Sequence, residues 1–186
     1  MNFLTSPLLL LALFVAGPSL AQGKTALDAE YPIDAQQENN KSPYIREIHG
    51  IWEVRCVKVS EKETCALYQL LKDKNDISVA EINIEILPAG NQAAAGITII
   101  TPLETLLTAQ LGWSIDANKI RKYPYSWCEQ SGCVARFGLT KEDVLAMKKG
   151  ASGKVSVVSI SNPKDPFYLT LSLNGFTAAW NSATPN

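Results

Sequence analysis

From Gly50 onward the chain alternates apolar and polar residues in short runs, separated by clusters of turn-forming residues. Residues 80–86 show it best. Ile82, Ile84 and Ile86 fall on one face and Glu81, Asn83 and Glu85 on the other, the period of a strand with one wet side. Residues 51–59 and 64–71 are rich in β-formers and flank Ser60-Glu61-Lys62-Glu63, so they read as a hairpin. A turn centred between Ser60 and Glu61 sets Cys56 opposite Cys65, in a pair where side chains come closest. Residues 96–101 and 112–116 read as further strands, and residues 105–113 fit a strand or a short helix equally. Residues 121–128 and 134–139 flank a second cysteine pair, and residues 154–161 and 167–173 form a hairpin around Asn162-Pro163-Lys164-Asp165.

Only one segment has the full punctuation of a helix. Thr140 caps residues 140–150, Glu142 and Asp143 occupy the first turn, Lys148 and Lys149 the last, and Gly150 ends it. Many short strands with one short helix predict an all-β domain, a β-sandwich held by two local disulfides. It is expected over residues 50–181, preceded by a flexible polar arm at 22–49 and followed by a polar tail at 182–186.

Residues 1–21 carry no charged side chain, and their apolar core runs only from Leu8 to Ala16. That core is too short for a permanent membrane helix, which needs about 20 apolar residues. Ser19-Leu20-Ala21 supplies small residues where signal peptidase requires them. The segment is expected to be a cleaved signal peptide, leaving a periplasmic or secreted product with no integral membrane segment. An even set of four cysteines, Cys56, Cys65, Cys128 and Cys133, agrees with export. Four cysteines allow three pairings, and spacing favours Cys56–Cys65 and Cys128–Cys133. The C-x₈-C spacing of the first pair is wrong for zinc, and no C-x-x-C motif is present.

Composition narrows the chemistry. Seventeen Lys and Arg balance 18 Asp and Glu, a net charge of −1 that speaks against a nucleic-acid partner. The single histidine, His49, excludes multi-histidine metal sites and has no nucleophile signature nearby. Glu81 and Glu85 share a strand face, the solvated side of a clean amphipathic pattern. Lys149-Gly150-Ala151-Ser152-Gly153-Lys154 lacks phosphate-loop spacing. No catalytic residue, cofactor or metal is expected. The candidate binding face is Arg121, Tyr123, Tyr125 and Trp127, which share one side if the segment is extended and are types enriched at binding hot spots. Pro124 places such a strand at an edge.

An ordered set of motifs spans residues 50–181: Trp52-x-Val54-x-Cys56, Cys65-x-Leu67-x-Gln69, Trp127-Cys128-x₄-Cys133-x-Ala135, Leu139-Thr140-x₄-Leu145 and Leu171-Ser172-Leu173-x-Gly175-Phe176-x-Ala178-Ala179. The set resembles the invasion-associated locus B family of bacterial exported proteins. The resemblance implies an immunoglobulin-like β-sandwich in the bacterial envelope and no catalytic site. Trp127 stands where that pattern has a basic residue. The family's name records an association with host-cell entry in some pathogens. The expected function is a non-enzymatic envelope protein that binds an envelope or extracellular partner. A periplasmic inhibitor of a hydrolase and a small envelope hydrolase are the alternatives.

Overall fold

The structure is a computed structural model that describes residues 42–184. The expected signal peptide at 1–21 and residues 22–41 of the expected arm lie outside the described residues. Where alternation is regular, the strands form as the pattern requires. The hairpin of β2 (Trp52–Val59) and β3 (Lys62–Lys72) has its turn at Ser60 and Glu61, with Val59 opposite Lys62 and Cys56 opposite Cys65. β4 (Ser78–Ile86) buries Ile82 and Ile84 and leaves Glu85 exposed. β5 (Ala95–Thr101) follows, with every second residue buried.

The described residues build an 11-stranded sheet in which every pairing is antiparallel. One wing contains β1 (Tyr44–His49), β2, β3, β4, β5, β9 (Gly132–Leu139) and β8 (Tyr125–Glu129). The other contains β7 (Arg121–Tyr123), β6 (Leu111–Ile115), β10 (Ser152–Ser159) and β11 (Asn162–Ser172). A 3-10 turn at Leu107–Ala109 leads into β6, which resolves the ambiguity of residues 105–113. The wings meet at a narrow seam, where Thr170 of β11 pairs with Lys72 of β3. At the far ends, β7 and β8 are separated only by Pro124, so one chain segment belongs to both wings.

The sheet therefore curls until its ends touch, in the manner of a sandwich. Tyr123 of β7 stacks on Phe137 of β9 with ring centroids 3.6 Å apart, and Trp113 of β6 meets the same ring edge-on at 5.9 Å. A single core fills the space between the wings, with Trp52, Leu67, Ile82 and Ile99 from one side and Trp113, Val155 and Leu171 from the other.

α1 (Lys141–Lys149) starts at the predicted N-cap, Thr140, which forms a capping box. Thr140 accepts from the Asp143 backbone N–H, and the Asp143 side chain accepts from that of Thr140. A second helix, α2 (Phe176–Ala183), corrects the expectation of one helix and carries regular structure beyond residue 181 into the expected tail. Its Phe176 packs edge-on against Trp52 at 5.2 Å. Gly175, at φ 87°, makes this docking possible, because a Cβ there would lie 2.0 Å from the carbonyl oxygen of His49.

Two other boundaries differ from expectation. The folded part begins before Gly50, since β1 pairs with β2 across residues expected to be arm. The β10–β11 turn is at Ile160 and Ser161, so Asn162–Asp165 belong to β11. The register slips between Val157 and Ser159, an irregularity that houses Pro163 and Pro166 beside a strand they could not ladder with regularly.

Candidate interaction surface

Both disulfides form between residues directly opposite each other on adjacent strands. Cys56–Cys65 joins β2 to β3 and Cys128–Cys133 joins β8 to β9, each with a Cα–Cα distance of 4.0 Å. No cysteine is free. Glu63 brings a carboxylate within 4.8 Å of Cys56 and Cys65, a grouping that could ligate a metal only with thiolates. Here both sulfurs are bonded to each other.

The four residues of the candidate binding face are divided by a bulge. Tyr125 pairs with Ala135, which lies on the core side, whereas Trp127 pairs with Val134 on the outer side, because Ser126 is an extra residue in β8. Tyr123 pairs with buried Leu111 and stacks on Phe137. Tyr125 is half-buried, its hydroxyl accepts from Thr101 Oγ1 at 3.4 Å, and burial pushes its pKa up. Arg121 donates to Asp143 at 2.6 Å, tying β7 to the first turn of α1. Burial alone would raise the Asp143 carboxyl, but Arg121 and Thr140 outweigh it and hold the group below the usual carboxylate range. Trp127 remains 43% exposed, beside the disulfide-pinned tip of the β8–β9 hairpin.

The groups considered for catalysis are placed unfavourably for it. His49 Nε2 lies 2.8 Å from Glu47, and hydrogen bonds from Ser182 and then from His49 hold the Glu47 carboxyl below its ordinary value. Among the described residues, no serine, threonine or cysteine side chain hydrogen-bonds the imidazole, as nucleophile activation would require. Glu81 accepts from the Tyr68 hydroxyl at 2.9 Å. Glu81 and Glu85 are four residues apart on one strand, about 13 Å, which is wider than glycosidase carboxyl pairs. In the loop that superficially evokes a phosphate site, Asp116 already accepts from the Ala151 and Ser152 N–H groups, both at 3.1 Å.

Gln69, the last residue of the Cys65-x-Leu67-x-Gln69 motif, has a structural role that the sequence leaves unassigned. It is only 2% exposed and sits where β3 leaves β2 and approaches β11. Its side-chain amide donates to the Ser172 carbonyl at 2.9 Å and accepts from the Ser172 N–H at 2.9 Å. The Trp52 indole donates to the same carbonyl at 3.0 Å. A groove of ≈ 520 Å³ opens over this junction, lined by Glu53, Tyr68, Gln69, Lys72 and Thr170 among others.

The motif residues Trp52, Val54, Cys56, Cys65, Leu67 and Gln69 thus occupy core-facing positions of one hairpin, and Ser172 to Ala179 cover its open end. A profile of the invasion-associated locus B proteins matches residues 52–184. The chain belongs to this family. A crystal structure of the invasion-associated protein B from Bartonella henselae superposes with a TM-score of 0.62, at 20% identity, covering 74% of this chain and 92% of that one. That likeness shows the fold. No curated protein matches the chain. Most of the motif residues serve core packing, the disulfides or the Gln69–Ser172 seam, whereas Trp127 and Leu145 of the motifs are exposed. Among the described residues, no helix is long and apolar enough to cross a membrane.

Proposed function

We propose that the protein is an exported, non-catalytic binding module of the bacterial envelope, and that it engages a protein partner through Trp127. The carrying observation is the exposure of that indole on a hairpin whose tip a disulfide fixes. A large amphipathic ring on a rigid support gains contact area with little loss of conformational entropy on binding. Two disulfides and no free thiol support a site of action in the periplasm or outside the cell. The Bartonella henselae protein of like fold is named for an association with invasion. For this chain, contact with a host or envelope protein is the corresponding reading.

The test compares capture from periplasmic extract and from host-cell lysate by the wild type, Trp127→Ala and Tyr168→Ala, the last altering an exposed aromatic on β11. A protein retained by the wild type and by Tyr168→Ala, and lost with Trp127→Ala, is the expected result. The thermal midpoint of Trp127→Ala should stay close to that of the wild type. Equal retention by all three would remove Trp127 from the interface. If the captured protein is a hydrolase whose rate falls on binding, the module is an inhibitor.

A further inference from the structure

β1 pairs with β2 along one edge, and among the described residues no strand pairs with its other edge. Such an edge is a template for another strand, and proteins usually blunt it. The free stretch of β11 is blunted by Pro163 and Pro166, and the ends of the two wings are joined through Pro124. β1 contains no proline, so it keeps its full set of backbone donors. Two of its residues, Ile45 and Ile48, are 50% and 62% exposed.

The sequence of β1, Tyr44-Ile45-Arg46-Glu47-Ile48-His49, reads ring, isoleucine, charge from either end, with the two charges opposite in sign. A ring, an isoleucine and a cation are followed by an anion, an isoleucine and a ring. We propose that two copies of the chain join edge to edge through β1, antiparallel about a two-fold axis between Arg46 and Glu47. Tyr44 then stands opposite the partner's His49, Ile45 opposite the partner's Ile48, and Arg46 opposite the partner's Glu47.

In a regular strand this register would fail. Residues three apart point to opposite faces, so Ile45 and the partner's Ile48 would lie on different sides of the joined sheet. The bulge at Arg46 removes the conflict. Ile45 pairs with Arg55 and Ile48 with Glu53, both outer-face residues, while Tyr44, Glu47 and His49 pair with Cys56, Val54 and Trp52 on the core side. The extra residue therefore brings both isoleucines to the outer face and both rings to the inner one, so the Ile45–Ile48 and Tyr44–His49 pairs each share a face.

The same bulge and the two central charges would deter an unrelated strand. Under the two-fold, each copy meets opposite charge where a shifted register would meet like charge. Arg46 is already held within its own subunit by Glu63 at 2.6 Å and by the Ser182 carbonyl at 2.5 Å. The charges thus set register, and the isoleucine pairs with the backbone ladder provide the attraction. Six opposed residues make a small interface, so the association is weak and concentration-dependent.

Sedimentation equilibrium of the exported chain is expected to show a monomer–dimer equilibrium, weakened roughly tenfold or more by Ile48→Lys and unchanged by Leu145→Lys on α1. Leu145 is exposed on a different element, so it controls for general surface change. Register is read by cross-linking. Under mild oxidation, an equimolar mixture of Ile45→Cys and Ile48→Cys chains forms disulfide-linked dimers, and neither variant does so alone. A wild type that stays monomeric at millimolar concentration overturns the proposal. So does an Ile48→Lys variant that associates like the wild type, or an Ile45→Cys variant that cross-links as well alone as in the mixture.

Discussion

Gln69 uses its side chain where neighbouring residues use backbone. The paired stretch between β2 and β3 runs from Val59 and Lys62 to Glu53 and Tyr68, and β11 meets β3 only at Lys72. The amide of Gln69 fills the interval with one donor and one acceptor, both spent on Ser172. Leucine matches its volume but cannot bond, so Gln69→Leu would leave the half-buried Ser172 N–H without this partner, while the carbonyl keeps Trp52. The expected cost is about 2–3 kcal/mol, combining the lost bonds with an unsatisfied donor. Chemical denaturation should show a lower midpoint with an unchanged slope. A loss within experimental error would mean that the junction repacks around leucine. In the sequence Gln69 closes the Cys65-x-Leu67-x-Gln69 motif and has inward parity, but neither says what its amide bonds to. Its partner lies 103 positions away, beyond the reach of local pattern.

At the level of elements, the regular parts are readable because their period is their burial. The alternation in 80–86 is the burial of β4, and the punctuation of 140–150 is the capping box of α1. The parts that depart from expectation are bulged or uncapped. Arg46 interrupts the period in β1 and Ser126 in β8, so the first reads as arm and the second as a strand with four residues on one face. α2 spans eight residues, with no acidic residue in its first turn, no basic residue in its last and no side-chain cap. Its start is set instead by the left-handed backbone of Gly175 against the β1–β2 turn, a tertiary contact. Gly175→Ala is therefore expected to destabilise the fold by about 2–4 kcal/mol, through backbone strain and the collision with His49. Hydrogen exchange should accelerate in α2 and β1 before the rest of the sheet. Uniform loss of protection would instead show that α2 and β1 do not open as a separate unit.

For the whole molecule, two wings share one core but are joined weakly at both ends, at the Lys72–Thr170 seam and across Pro124. The disulfides sit in different relations to that design. Cys56–Cys65 lies within the wing that carries most of the sheet, and the Cys56 side chain is wholly buried. Cys128–Cys133 pins β8, the strand that crosses through Pro124 into the other wing, and Cys128 is exposed. On loop length alone the two are similar, about 2–3 kcal/mol for a separation of 9 and about 2 for one of 5. Core packing separates them. Replacing Cys56 and Cys65 by alanine also leaves a void among Trp52, Leu67 and their neighbours, bringing the expected loss to about 4 kcal/mol. Replacing Cys128 and Cys133 is expected to cost about 2 kcal/mol. It should also loosen the hairpin that presents Trp127, so partner affinity falls further than stability does. Thermal unfolding of the two double variants, with capture measured well below each midpoint, separates the effects. If the outer pair costs as much stability as the inner one, closure of the ring through β8 holds the wings together more strongly than the shared core. If its loss leaves capture unchanged, the clasp does not serve the binding surface.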